Sequence, residues 1–521
     1  MGAKKIGAKN KYEKAVARKN VSLTDAPGRT TQSCSYKQAM DLVRALRRAG
    51  NYQLGNAYLE QIVAQVGEVP EPAVYLLHIY IDEMRLDDAR KLTADLGDKF
   101  PVDSSAMRAR ARFLQMAGAL PEAEELMLRA VQIYPNNSKN LEMLAAIYLQ
   151  RGDKARALNY FDRALAVEFN CEALVGKARL LGKKSTPDLI AQIHAAIASN
   201  KFVGVQLASL HFALAFIYAD TDVDLHFHHL NEANRTVAAR RGYDLALRKK
   251  EVENILYRFR QPVIDALHGL IESDYKPIFI IGMPRSGTTL LEQVIGAHPQ
   301  CEPIGESGAF SNAVFAADKL GCPPLDASSP QAIDACRQYL ARVADNFKNN
   351  RLVAAAGGKS PVDKSIGTYM YLGLILLAMP NARIIYAERH PLAIAYSCYQ
   401  QNFSSGNTFS FNLEWIAEEY KLFKTLMTHW MNVFPDRILK VQYEKFVRDK
   451  QSEVERVLKF CDLEWDAACL EHEKSVGLIT TASVNQVRQP VYQSSAEKWK
   501  KVEQYLEPAK RLLGEWLDYP E

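Results

Sequence analysis

Residues 104–137 and 138–171 follow one pattern of 34 residues, and a period of that length leaves a chain few folds to choose from. The first copy reads SSAMRARARFLQMAGALPEAEELMLRAVQIYPNN and the second SKNLEMLAAIYLQRGDKARALNYFDRALAVEFNC. The shift superimposes Gly118 on Gly152, Ala123 on Ala157, Arg129 on Arg163, Ala130 on Ala164 and Asn136 on Asn170. One period earlier Ala89 matches Ala123, Phe100 matches Tyr134 and Pro101 matches Pro135, and a looser copy surrounds residues 50–57. The apolar spacing within each copy is that of two helices joined by a glycine turn. Small alanines let the paired helices approach, and Tyr134 with Pro135 closes the second helix. One such hairpin cannot bury its own apolar face, so three or more must stack in a row. The helical pattern continues through residues 175–265 with degraded copies that would cap the array.

Beyond residue 272 the periodicity changes. Short β-branched runs at 278–281, 383–387 and 437–442 alternate with longer helical stretches, the signature of a parallel sheet covered by helices. The first run enters a glycine turn, IFIIGMPRSGTTLLEQ at 278–293. Gly282 and Gly287 have the spacing of a nucleotide-hydrolase phosphate loop, but Thr288 stands where that loop carries its lysine. Amides of residues 284–289 and the N-terminal end of the following helix would still cradle an anion. Arg285 adds a planar donor array, and Ser286, Thr288 and Thr289 add hydroxyls. Such a cradle suits a sulfate-like or phosphate group better than a γ-phosphate.

The repeats resemble the tetratricopeptide repeat. The C-terminal half resembles a sulfotransferase domain, closest to the tyrosylprotein sulfotransferase branch. PRSGTTL is similar to that family's loop for the 5′-phosphosulfate of 3′-phosphoadenosine 5′-phosphosulfate (PAPS). The stretch 363–397 is similar to its segment running from a lysine, here Lys364, to the 3′-phosphate site, here Arg389 and Ser397. KVQYEKF at 440–446 supplies Tyr443, and the late segment 483–499 supplies Ser483 and Lys498 as further donor contacts. The resemblance therefore implies PAPS as co-substrate, bound by Arg285, Ser286, Gly287, Thr288, Thr289, Arg389, Ser397, Tyr443, Ser483 and Lys498. It implies Glu306 as the catalytic base, Lys364 as the cation at the bridging oxygen and Arg285 on the non-bridging oxygens. The family's GEE run is Gly305-Glu306-Ser307 here, so Glu302 and His298 stay open as bases, and Lys359 competes with Lys364. The position after Arg389, often acidic in relatives, is His390.

The expected architecture is an all-α tetratricopeptide-like solenoid over 37–265, after a basic disordered arm at 1–36, then an α/β P-loop-like parallel-sheet domain over 272–521. The first 20 residues hold seven Lys/Arg against Glu13, with no apolar core for a secretory signal. A net charge of +5 is too mild to argue for nucleic acid. The longest apolar run, MYLGLILLAM at 370–379, falls short of a membrane span and predicts a buried helix. Eight cysteines without C-x-x-C spacing fit reduced thiols in the cytoplasm. HFHH, with His226, His228 and His229, reads as a solvated helix face, and no metal is expected. The expected partners are a hydroxyl-bearing acceptor such as a protein tyrosine, a protein docked on the repeats, and a second copy in a homodimer. The alternatives are a repeat scaffold that binds nucleotide without turnover, and a P-loop kinase or NTPase.

Overall fold

The computed structural model describes residues 19–25, 31–83, 85–323, 325–403, 406–471 and 497–519. The chain divides into two compact units, Met1–Gly182 and Lys183–Glu521. Residues 1–18 of the expected arm and the site candidate Ser483 lie outside the described residues.

The first unit opens with an antiparallel hairpin in place of the last part of the expected arm, β1 (Asn20–Thr24) against β2 (Thr31–Ser35). The reason is alternation: Val21 and Leu23 are fully buried while Ser22 between them is exposed. Helix Tyr52–Gln65 completes the hairpin's edge with two amide side chains. Gln65 exchanges two hydrogen bonds with the Ser22 backbone (2.9 and 2.8 Å), and Gln61 does the same with Thr24 (2.8 and 2.9 Å). Four helix pairs follow among the described residues: Tyr36–Arg48 with Tyr52–Gln65, Glu71–Asp82 with Leu86–Lys99, Ser104–Met116 with Leu120–Ile133, and Ser138–Gln150 with Lys154–Val167. Helix Cys171–Leu181 ends the unit.

The period is written into the backbone. Gly50, Gly118 and Gly152 occupy equivalent interhelical turns with φ of +81°, +84° and +83°, a conformation glycine adopts without steric cost. Ala89, Ala123 and Ala157, each one period apart, have no exposed surface. Ala157→Leu would force extra methylenes into this close approach, at a cost of about 1–3 kcal/mol. Urea unfolding should show a lower midpoint for this variant, while an Ala155→Leu control on the exposed face should leave it unchanged.

Among the described residues the second unit holds five parallel strands in the order β4 (Cys301–Gly305), β5 (Ser360–Asp363), β3 (Ile278–Gly282), β6 (Arg383–Glu388), β7 (Ile438–Gln442). It also contains the helices Pro187–Ala198, Val205–Tyr218, Val223–Arg241, Leu245–Arg258 and Gln261–Leu267. Their pattern in sequence continues the repeat array, yet those from 205 onward share the apolar core of the sheet. Phe227, Phe259, Val263, Ile264 and Leu267 are buried in one cluster with Phe279, Ile281 and Trp430. The Phe259 ring lies 5.3 Å from that of Trp430, and a Cβ on Gly373 would collide with it. A helical period in sequence does not reveal which neighbour a helix will bury its face against.

HFHH is not a solvated face. His228 is exposed, but His226 and His229 are buried, because Phe227, Leu230 and Ala233 turn that side of helix Val223–Arg241 into the core. The His226 Nδ1–H donates to the Ala215 carbonyl (2.7 Å), so its Nε2 accepts from the Tyr396 hydroxyl (3.1 Å). Among the described residues no group of His, Cys, Asp and Glu is arranged to hold a metal. Residues 372–378 form the expected buried helix, and no described helix is long and apolar enough to cross a membrane. All eight cysteines are free thiols.

Candidate functional site

β3 is the central strand, and all five of its residues are buried, so its end opens in the middle of the sheet's carboxyl edge. Open parallel sheets place ligands at this edge. The strand ends on Gly282, where a Cβ would meet the Ala387 carbonyl oxygen at 2.8 Å and would strike Ser286 Oγ. Arg285 (φ +71°) and Gly287 (φ +101°) then turn the loop through left-handed conformations into helix Thr288–Gly296. Gly287 is needed twice over: a Cβ there would also press on the Tyr443 ring at 2.5 Å. The helix's first amides have no partner within the helix. Ser286 is fully buried, with no hydrogen-bond partner for its hydroxyl among the described residues, and Thr288 and Thr289 are buried beside it. A buried hydroxyl without a partner at the mouth of a helix fits an anion acceptor.

The other candidate residues fall on the two sides of this loop. On one side, the ends of β6 and β7 bring Arg389, Ser397 and Tyr443 to Arg285. The Arg285 Nε–H donates to Ser397 Oγ (2.9 Å), and Arg389 donates to the Arg285 carbonyl (2.8 Å). The Arg389 guanidinium lies over the Tyr443 ring, 4.4 Å from its centre. Burial and the neighbouring Arg389 charge both pull the Arg285 pKa down, so an anion received here relieves the repulsion of two guanidiniums. His390 caps helix Pro391–Tyr399: its Nδ1 accepts from the Leu392 amide (3.2 Å) and its ring stacks on Trp499 at 4.2 Å. That stack brings helix Lys498–Leu506, and so Lys498 at its start, to the Arg389 side of the site.

On the other side, the ends of β4 and β5 bring Glu306 and Lys364 together. Lys364 has no exposed surface, and its Nζ lies 2.6 Å from Glu306 and 3.8 Å from Glu292. The Glu306 side chain is 45% exposed, so it spans from the buried ammonium to solvent. Ser307 donates to buried Asp363 (3.0 Å), which explains what the serine of the GES run does. Glu302 and Lys359 instead pair with each other at the surface (3.1 Å). His298 has both ring nitrogens engaged: Nδ1 accepts from the Gln300 amide (3.2 Å) and Nε2–H donates to the Glu464 carbonyl (3.0 Å).

Sequence reasoning missed Glu292. It lies one helical turn after Thr288 and hence on the same face, a spacing that could have flagged it. Burial pushes its carboxyl up to about 7, against the opposing pull of Lys364.

Residues 277–467 match the Sulfotransferase family. An uncharacterized protein of Aquifex aeolicus (strain VF5) is 31% identical over 404 residues, 76% of this chain and 52% of that protein, so the match spans about half its length. Protein-tyrosine sulfotransferase 1 of Danio rerio is 24% identical over 268 residues, 46% of this chain and 73% of that one. Among solved structures, the sulfotransferase domain of the Synechococcus PCC 7002 olefin synthase covers 49% of this chain and 99% of its own at 20% identity, with a TM-score of 0.35. A tetratricopeptide-repeat protein of Thermus thermophilus covers 38% of this chain and 97% of its own at 16% identity, with a TM-score of 0.27. Residues 277–467 of this chain form a sulfotransferase-family domain, and paired helices with a 34-residue period precede it.

Proposed function

We propose that the protein transfers a sulfuryl group from PAPS to an acceptor hydroxyl, with the loop 283–289 as the phosphosulfate cradle. The observation that carries this reading is the Lys364–Glu306 pair beside that loop: one cation and one solvent-reaching carboxylate, 2.6 Å apart. PAPS supplies the sulfuryl group, whose bond to the bridging oxygen breaks as the acceptor oxygen bonds to sulfur. The loop amides, Ser286, Thr288 and Thr289 hold the oxygens of the 5′ group, and Arg285 supplies charge there. Arg389 and Ser397 hold the 3′-phosphate, with Tyr443 behind the guanidinium and Lys498 nearby. Lys364 leaves Glu306 for the bridging oxygen and neutralises the charge that develops there. Glu306, released from the ammonium, regains the lone pair it needs to take the acceptor's proton. Ser483, in the late segment, is a further donor contact in this scheme.

The acceptor we infer is a protein tyrosine, in line with the name of the Danio rerio relative, presented by a protein docked on the repeats. The free thiols fit a cytoplasmic setting. Incubation with PAPS and a cell extract, followed by mass spectrometry, tests the reading. Sulfate-bearing tyrosine peptides are expected. Products on saccharides or lipids would move the acceptor, and no sulfated product of any kind would leave a scaffold without turnover.

A further inference from the structure

Glu292 takes no part in the scheme above, yet it occupies a telling place. Its side chain is 6% exposed, one helical turn below Thr288, and its carboxylate lies 3.8 Å from Lys364. Among the described residues, the elements packed most closely against its helix carry these charges. β4 brings the buried Cys301 thiol and Glu302, which is paired with Lys359 at the surface, and Glu306 follows its last residue. β5 brings Asp363, with Lys364 just after it; β3 brings none, and the turn Ala467–Leu470 brings the Cys469 thiol, which burial pushes up to about 11. The Gly305 amide also supports the carboxylate. Three carboxylates thus surround one ammonium, next to a cradle built for an anion.

Resting on the sulfotransferase reading, we propose that Glu292 is a positioning residue that takes up a proton when the donor enters the cradle, so that the Lys364 ammonium turns wholly to the ligand. The geometry requires some such change. A ligand phosphate brought beside Lys364 would otherwise add negative charge to a buried group already short of cations, where like charges repel strongly. Glu306 can move its charge into solvent. Asp363 is held by the Ser365 amide (2.7 Å) and the Ser307 hydroxyl. Glu292 cannot reach solvent and has the Gly305 amide where Asp363 has an amide and a hydroxyl, and burial outweighs that support in favour of its neutral form. Its proton comes from solvent and returns there when the ligand leaves.

Calorimetric titration of the full chain with adenosine 3′,5′-bisphosphate tests this between pH 6 and pH 8.5. Glu292→Gln fixes the group neutral at nearly unchanged shape. The ligand's own titration is common to both proteins and cancels in the ratio of their affinities. That ratio should be near one at pH 6, and the variant should bind tighter by about tenfold or more at pH 8.5. A purely structural role would change affinity by the same factor at every pH, and a flat ratio overturns the proposal. Should the variant fail to fold, wild-type titrations at pH 8 in buffers of different ionisation enthalpy read the proton directly. Uptake approaching one proton supports the proposal and no uptake overturns it. Wild type that binds no bisphosphate at any pH overturns the sulfotransferase reading itself, and this inference with it.

Discussion

Glu306→Gln should lower turnover by roughly 10²–10⁴-fold while leaving the affinity for adenosine 3′,5′-bisphosphate nearly unchanged. The substitution keeps the side chain's length and its ability to hydrogen-bond, and removes only its capacity to accept a proton. The structure sharpens the expectation in two ways. Glu306 is bonded to Lys364, the cation placed at the bridging oxygen in the proposed scheme, and its 45% exposure leaves room for an acceptor beside it. Its rivals are engaged elsewhere, Glu302 with Lys359 and His298 with two backbone groups. Steady-state rates for Glu306→Gln, Glu302→Gln and His298→Asn decide the matter. A rate loss confined to either of the latter two would move the base, and full activity in all three would remove proton transfer to these side chains from the mechanism.

The second large effect concerns the 3′-phosphate. Arg389→Ala should weaken the bisphosphate by about 2–3 kcal/mol, some 30- to 150-fold, because a charge-assisted contact is lost. AMP, which has no 3′-phosphate, should bind the variant and the wild type alike. Since Arg389 also donates to the Arg285 carbonyl, Arg389→Lys serves as the control that keeps a charge without the planar fork. Equal wild-type affinity for AMP and the bisphosphate would sink the assignment of this pocket.

Much of this is legible in the sequence alone. The three glycine turns and three buried alanines follow from the 34-residue period, because a left-handed turn and a close helix contact each demand one residue type. The loop is legible for the same reason: Gly282 and Gly287 leave no room for a side chain. What escapes the sequence is partnership between segments far apart in the chain. The charge cluster joins a glutamate inside an apolar helix to residues at two strand ends, and the four-residue step from Thr288 gives the face of Glu292 but not those partners. The hairpin Asn20–Ser35 escapes because its two strands gain stability only against the helices behind them. The buried histidines escape because HFHH looks polar until its helix is seen to face a core.

Helix Val223–Arg241 has one consequence for how separable the candidate site is. Through His226 it grips Tyr396, and through the Asn234 amide it grips the Tyr399 carbonyl (2.9 Å), so both ends of the short segment carrying Ser397 are tethered to it. That splint lies upstream of residues 277–467, the stretch that matches the family. The cradle is therefore not a portable cassette. A transplant or a minimal fragment cut at the family boundary would leave Tyr396 and Tyr399 without their anchors, whereas one beginning near Lys183 would carry its own bracing along.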